Sequence, residues 1–382
     1  MNELIKTYID VDFLFDKLKK NNINFFTGVP DSLLKDFCAY VNDNTEKDKH
    51  VIASNEGNAV AIAAGYYFGT KEIPLVYLQN SGFGNIINPI TSLLNESVYN
   101  IPMLILIGWR GQPGKKDEPQ HLMMGKQMEK ILESLQLEYS ILPDYHEGVE
   151  MALNRAVDYM NCTSKPYVFL VQNHSFNKYK LIEQQNLDYV FSREEILHII
   201  MKNITTNEIL VSTTGMLSRE LYEYRKQRNE PIKDILNVGS MGHCSSIGLG
   251  LSISNKDNNV LILDGDGSVL MHMGSMAING CNGCKNFKHI IFNNGAHDSV
   301  GGQKTEGFNI NFENIASGCN YNIITCNDYN SEEEIVTSLE RLLKNDGPIL
   351  LELRCKKGAR TNLGRPENFK TMKEDFFNEW LK

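Results

Sequence analysis

The sequence lacks any uninterrupted apolar stretch long enough to cross a bilayer, any strong basic run and any dense cysteine framework. The first absence removes the expectation of a membrane span. The second, with a formal net charge of −9, argues against a nucleic-acid partner, because nothing offers the phosphate-neutralising surface such binding needs. Eight cysteines are scattered over 382 residues, which reads as free thiols in a reducing compartment. Cys281 and Cys284 have C-x-x-C spacing, but no second pair has that spacing to complete a zinc or iron–sulfur site. The first twenty residues, MNELIKTYIDVDFLFDKLKK, read as an amphipathic helix without the apolar core of a signal peptide, so a cytoplasmic location is expected.

What the chain does have is alternation. Apolar runs at 25–28, 51–53, 75–78, 103–107 and 167–171 are interleaved with helical patterns, and a second set follows at 209–211, 260–263, 290–292 and 349–353. Near-continuous apolar runs suit parallel strands covered by helices on both faces. Between the two sets lies the polar stretch 177–188, and Ser192-Arg193-Glu194-Glu195 reads as a capping box that opens a new helix. The expected fold is therefore α/β: two doubly wound parallel-sheet domains, 1–178 and 193–382, joined by a linker at 179–192, with no third domain between them. Each half has a strand running into a glycine-rich turn, at 75–84 and 260–267. Ligands of open α/β sheets bind where such strands end.

The most specific pattern is Gly265-Asp266-Gly267-Ser268 after one apolar run and Asn293-Asn294 after the next, with residues 268–292 between Gly267 and Asn293. A strand, a helix and a second strand fit in that interval and return a carboxylate and an amide to one sheet edge. The glycines allow close approach of backbone to a ligand. The N–H groups of Gly267 and Ser268 at a helix start suit a phosphate, and the oxygens of Asp266 and Asn294, with diphosphate and water, suit Mg²⁺.

This Gly-Asp-Gly and Asn-Asn pair resembles the diphosphate–metal motif of the thiamine diphosphate enzymes. The resemblance implies Asp266, Asn294 and the backbone carbonyl of Ala296 as Mg²⁺ ligands, with Gly265, Gly267 and Ser268 lining the diphosphate. The segment ASNEGNAVAIAAG at 53–65 is similar to the family segment whose glutamate bonds the cofactor's aminopyrimidine ring, which makes Glu56 the activating acid. By itself Glu56 also reads as a helix-start glutamate stabilised by the dipole. NVGSMGHCSSIG at 237–248 resembles the segment that holds the pyrimidine, with backbone near Gly239 and a wedge at Met241, a residue equally suited to core packing. Thr214 and Gly215, in Thr213-Thr214-Gly215, match a further cofactor-lining turn.

Four segments resemble the branch of that family that decarboxylates phosphonopyruvate: GVPDS at 28–32, DEPQHLMMG at 117–125, NNGAHDSVGGQ at 293–303 and GARTNLGRP at 358–366. Sulfopyruvate decarboxylases share part of the pattern. The resemblance implies Asp31 and His121 as proton donors near the thiazolium. Related decarboxylases pair that histidine with a second one where this chain has Leu122, and carry an acid where it has Val300, so His297 is the candidate to compensate. Ser32, Arg110, Lys304, Arg360 and Arg365 are candidates for the anionic group of a small 2-oxo acid. The family pattern also implies a homo-oligomer, at least a dimer, with active sites at the subunit interface. A carboligase and a cofactor-binding protein without turnover are the competing classes, and the presence of Glu56 speaks against the second.

Overall fold

The computed structural model of the chain describes residues 8–182, 189–326 and 329–381. It divides into two units, Met1–Glu183 and Gln184–Lys382. The apolar runs become strands of one six-stranded sheet in each unit, most of them central, with the run at 51–53 entering an edge strand, His50–Ile52. The first holds β1 (Phe26–Gly28), β2 (His50–Ile52), β3 (Leu75–Gln79), β4 (Leu104–Gly108), β5 (Glu138–Ile141) and β6 (Tyr167–Val171) in the order β2-β1-β3-β4-β6-β5. The second holds β7 (Glu208–Ser212), β8 (Ile235–Leu236), β9 (Asn259–Gly265), β10 (Phe287–Asn293), β11 (Asn322–Ile324) and β12 (Ile349–Arg354) in the order β11-β12-β10-β9-β7-β8. Read from its other edge, the second order repeats the first. Every named strand pair is parallel, so the expected doubly wound α/β class is what the chain adopts.

The alternation of side chains along each strand feeds two cores per unit. In the first, Leu75, Tyr77, Leu104 and Leu106 enter one cluster, while Val76, Leu78, Ile105 and Ile107 enter the opposite one. In the second, Leu261, Leu263, Ile290 and Leu351 face one way, and Val260, Ile262, Ile291 and Leu350 the other. Burial on both faces is why these strands read as unbroken apolar runs. Three strands escape that reading. β5 and β11 are sheet edges with partly exposed side chains, and β8 has only two residues. An edge strand has one flank open and does not need the apolar run of a central one.

The capping box is formed as expected. The Ser192 N–H donates to Glu195 Oε2 at 2.7 Å, opening the helix Arg193–Asn203. The N-terminal helix spans Val11–Lys20, burying Val11, Leu14, Phe15 and Leu18. Ile9 instead bridges Phe176 in parallel, and residues 1–7 of the expected helix lie outside the described residues. Of the expected linker at 179–192, residues 183–188 are also outside them. Its start is held on the first unit, where the N–H of Tyr179 donates to Asp36 at 3.0 Å and that of Ile182 to Asp43 at 2.8 Å. Among the described residues no helix is long and apolar enough to cross a membrane.

The helix Cys244–Ser254 lies close against β9 because Gly248 presents no side chain there. A Cβ at this position would stand 2.3 Å from Cγ1 of the fully buried Ile262. Gly248→Ala is expected to destabilise the second unit by about 1–3 kcal/mol through overpacking, visible as a lower thermal midpoint. An unchanged midpoint would contradict this account of the helix–sheet contact.

Candidate active site

Parallel strands deliver their following loops to one edge of a sheet, and chain reversal between β1 and β3 leaves a crevice there. In the first unit, the residue after β1's end that matters is Asp31, fully buried. Its Oδ2 accepts the N–H groups of Leu33 at 2.8 Å and Leu34 at 3.2 Å, and its Oδ1 accepts from Gln79 Nε2, at the end of β3. Burial raises its pKa, and the Gln79 and Leu33 hydrogen bonds and the Arg110 charge only partly offset that. Behind it stands Gly108, at the end of β4, where a Cβ would lie 2.1 Å from Asp31 Oδ2.

After β2, Asn55 caps the helix Glu56–Thr70 by accepting the N–H of Asn58 at 2.9 Å. Glu56 is only 6% exposed. Burial raises its pKa, against the opposing effect of Asn85 Nδ2, which donates to Oε2 at 2.6 Å. Gly82, in the turn after β3, is packed on this carboxylate: a Cβ there would meet Oε1 at 2.1 Å.

Arg110 follows β4. Its Nε donates to Asp117 Oδ2 at 2.9 Å and its Nη1 to Ser32 Oγ at 2.8 Å. Burial opposes ionisation of Asp117, yet the Arg110 guanidinium and the N–H groups of Gly111 and Glu118 hold its carboxyl well below the usual range. Asn80 accepts the Arg110 N–H and donates to the Arg110 carbonyl at 2.7 Å, tying the ends of β3 and β4. His121 is half-buried in the first turn of the helix Pro119–Ser134, with its carbonyl against Gly111, whose φ is +69°. The structure thus brings Asp31, Ser32 and Arg110 together, with Arg110 hydrogen-bonded to Ser32 and its charge acting on Asp31. Gln79 and Asn85, which the sequence reading did not single out, directly contact Asp31 and Glu56. Their only sequence signal is adjacency to a glycine-rich turn.

In the second unit, hydrogen bonds join the three segments expected to line a cofactor. Thr213 Oγ1 donates to Ser268 Oγ at 2.9 Å, Ser268 Oγ accepts the N–H of Gly242 at 3.2 Å, and Thr214 Oγ1 accepts that of Gly239 at 3.1 Å. Gly215, Gly239 and Gly242 all have positive φ, +100°, +68° and +85°, which only glycine adopts readily. Met241 is half-buried and stands outside the core clusters.

Asp266 opens a short helix, Asp266–Met271, after β9 and is 2% exposed. Burial raises its pKa to about 6, despite hydrogen bonds from the Thr305 hydroxyl and the backbone of Asn294 and Gly267. Gly307 backs it, at 2.5 Å from Oδ2 for a Cβ. At the end of β10, Asn293 turns inward, donating to the Gly307 carbonyl and to Glu352, both at 2.7 Å. Asn294 donates Nδ2 to Asp298 at 2.6 Å, and its Oδ1 accepts the N–H of Ala296 at 3.2 Å. His297 is half-buried with its pKa lowered to about 4 by burial, and a Cβ on Gly267 would lie 3.1 Å from its ring.

The remaining cationic candidates occupy surface or paired positions. Lys304 is exposed on the strand-like bridge to Ala296, and Arg365 is exposed. Arg360 Nε donates to Glu194 at 2.8 Å and its Nη2 lies 3.6 Å from Glu223. Among the described residues no group of three or more His, Cys, Asp or Glu side chains is placed to hold a metal. One carboxylate, one amide oxygen and one backbone carbonyl are instead a hard-oxygen set that suits Mg²⁺ only together with a ligand's own oxygens. The residues fit that arrangement: a buried Asp266 gains from a cation, and Gly267 adds no side chain where His297 and Thr305 already stand close.

Two doubly wound units, one with a desolvated glutamate at its strand ends and the other with an aspartate–asparagine shelf, are the arrangement expected of a thiamine diphosphate enzyme. Residues 11–130 match the family described as "Thiamine pyrophosphate enzyme, N-terminal TPP binding domain", and residues 213–353 the corresponding C-terminal TPP binding domain. The chain belongs to the thiamine pyrophosphate enzymes. It is 32% identical to phosphonopyruvate decarboxylase of Streptomyces viridochromogenes over 335 residues, 84% of this chain and 82% of the relative. It is also 32% identical to that of Streptomyces hygroscopicus over 356 residues, 89% and 86% of the two chains. Sulfopyruvate decarboxylase of Methanosarcina acetivorans is 28% identical over 346 residues, 85% of each chain. The protein is a thiamine diphosphate-dependent decarboxylase.

The raised pKa of Asp266 has a consequence for stability. Its carboxyl binds a proton more tightly folded than unfolded, so its contribution is present below the ordinary aspartate value of 3.8 and lost as pH rises through about 6. A shift of this size corresponds to about 3 kcal/mol. Metal-free Asp266→Asn protein is therefore expected to match the wild type near pH 4 and to exceed its stability by up to about 3 kcal/mol at pH 7, measured by denaturant unfolding. Equal stability of the two at pH 7 would contradict the assignment.

Proposed function

We propose that the enzyme decarboxylates 3-phosphonopyruvate to phosphonoacetaldehyde and CO2, as a Mg²⁺–thiamine diphosphate enzyme of phosphonate biosynthesis. It acts in the cytoplasm as a homodimer or larger assembly with active sites at the subunit interface. The observation that carries the substrate is the 32% identity over more than four-fifths of both chains with two phosphonopyruvate decarboxylases.

Thiamine diphosphate, when bound, supplies the carbon nucleophile for the 2-oxo group and the ring that accepts the electrons left by CO2. Asp266, Asn294 and the Ala296 carbonyl would hold Mg²⁺, with the N–H groups of Gly267 and Ser268 toward the diphosphate. Thr214, Gly215, Gly239 and Met241 would line the rest of the cofactor. Glu56 would meet the aminopyrimidine ring, and its raised pKa favours a carboxyl that keeps a proton to share with a ring nitrogen. Loss of CO2 leaves a carbon that must take up one proton. Asp31 is the best-supported donor, because its burial also raises its pKa. His297 and His121 are the other candidates, and burial, which lowers the pKa of His297 to about 4, makes it the poorer proton donor unless the substrate's charge raises that value. Arg110 holds its guanidinium between Asp117 and Ser32, so Ser32 and Arg110 form a prepared polar corner for the substrate's anionic group. Lys304, Arg360 and Arg365 remain candidates for the same role.

Sulfopyruvate is the second reading, favoured by the full-length relative from Methanosarcina acetivorans. Both acids carry a tetrahedral anionic group on the same carbon. Steady-state kinetics on the two acids separate them: kcat/KM for phosphonopyruvate is expected to exceed that for sulfopyruvate by tenfold or more, and the reverse ratio would reassign the substrate. Glu56→Ala is expected to lose about 100-fold or more in kcat, in the range of general acid–base catalysis. Full turnover by that variant would contradict the mechanism.

Gly82 gives a sharper test. A new Cβ would strike Oε1, Cδ and Cγ of Glu56 at 2.1, 2.3 and 2.7 Å, so the carboxylate must move from its place beside Asn85. Gly82→Ala is expected to leave the thermal midpoint within a few degrees while lowering kcat about 100-fold, the scale of an ångström-level misplacement. Unchanged kcat would show that the position of Glu56 does not matter.

A further inference from the structure

The loop after β10 contains a buried charge relay that none of the chemistry above requires. Arg193, the first residue of the helix Arg193–Asn203, is 7% exposed, and Glu220 is 1% exposed. The two are joined bidentately, Nε to Oε2 and Nη2 to Oε1, both at 2.9 Å. The remaining arm of the guanidinium, Nη1, donates to Asp298 Oδ2 at 2.9 Å. That same oxygen accepts Asn294 Nδ2 at 2.6 Å. The N–H of Gly358 completes the set, 3.1 Å from each Asp298 oxygen.

Taking three charges out of water is costly, and well-packed apolar residues in their place are often at least as stabilising. Stability alone is therefore a poor reason for the relay. Its geometry supplies a better one. An asparagine side chain has an oxygen and an NH₂ that differ little in shape, and only the oxygen can ligate a hard cation. An ionised carboxylate accepts hydrogen bonds and donates none. Asp298 therefore holds the NH₂ of Asn294 and leaves its oxygen on the side of the Ala296 N–H, and Arg193 clamped on Glu220 fixes where Asp298 stands.

We propose that Glu220, Arg193 and Asp298 are positioning residues that set the amide orientation of Asn294 and so tune the affinity of the cation site. This rests on the reading above that Asn294 Oδ1 is a Mg²⁺ ligand. Outer partners of metal ligands commonly carry 10- to 100-fold of metal affinity.

The test is equilibrium Mg²⁺ binding by calorimetry on the full-length protein in saturating thiamine diphosphate, with thermal unfolding of the metal-free protein alongside. Asp298→Ala removes the acceptor and is expected to weaken Mg²⁺ binding 10- to 100-fold. Asp298→Asn can keep an oxygen where Arg193 and Asn294 converge, and is expected to stay within about threefold of wild type, an effect far below that scale. Arg193→Lys, which cannot hold Glu220 and Asp298 together, is expected to weaken binding as Asp298→Ala does, and serves if that variant does not fold. Asp298→Ala or Arg193→Lys binding Mg²⁺ like wild type would overturn the proposal. So would Asp298→Asn losing as much as Asp298→Ala, since charge and not orientation would then be the cause. Asn294→Ala separates the two levels. If it leaves Mg²⁺ affinity unchanged, the ligand reading itself fails and takes the relay with it. If it weakens binding while Asp298→Ala does not, the relay alone is wrong.

Discussion

A carboxylate taken out of water with a glycine pressed against it is the arrangement on which the candidate residues of each unit depend. It occurs at Asp31 with Gly108, at Glu56 with Gly82 and at Asp266 with Gly307. In each case a Cβ on the glycine would occupy the space of the carboxylate. The glycine brings backbone in where water would otherwise hydrate the anion. The result is the same at all three: burial raises the pKa, and the hydrogen bonds that remain are too few to cancel it. An acid in that condition is harder to ionise than a solvated one and gains from a nearby cation. The first suits the proton handling proposed for Asp31 and Glu56, and the second the metal binding proposed for Asp266.

The fold puts these groups where they are because its strands are parallel. Both units repeat one strand order, and in both the loops after the strands carry the polar residues while helices cover the faces. The ends of β1, β3 and β4 are stitched together by Gln79 to Asp31 and by Asn80 to Arg110. The ends of β7 and β9 are stitched by Thr213 to Ser268. One scaffold therefore carries two kinds of edge. The first presents carboxyls that resist ionisation, and the second presents oxygens around a single buried aspartate. A decarboxylase needs both an acid that keeps its proton and a firm hold on its cofactor.

Central strands were legible because both of their faces are buried, which forces unbroken apolar runs. The edge strands β5 and β11 were not, since nothing forces that pattern where a flank is open, although the edge strand β2 keeps a short apolar run at 51–53. Ser192 and Glu195 announced their helix through local chemistry alone. The motifs carrying Glu56, Asp266 and Asn294 were readable because spacing and residue type are both constrained there. Thr305, Asn85, Arg193, Glu220 and Asp298 left no such trace as partners. Each acts through a contact made across distant parts of the chain, as when Thr305 meets Asp266 or Arg193 meets Asp298. Arg110 was legible as a cation, but not as one already clamped by Asp117. Arg360 likewise has Glu194 and Glu223 beside it, which a sequence does not display.

The claim that desolvated carboxylates organise the site is tested most directly by titrating them. Carbonyl ¹³C NMR of metal-free protein labelled at Asp and Glu, with assignments from Asp31→Asn, Glu56→Gln and Asp266→Asn, follows each group separately. The account predicts that all three protonate above the ordinary carboxylate range, with Asp266 near pH 6. Titration of the three at about pH 4, as for solvated carboxylates, would contradict it.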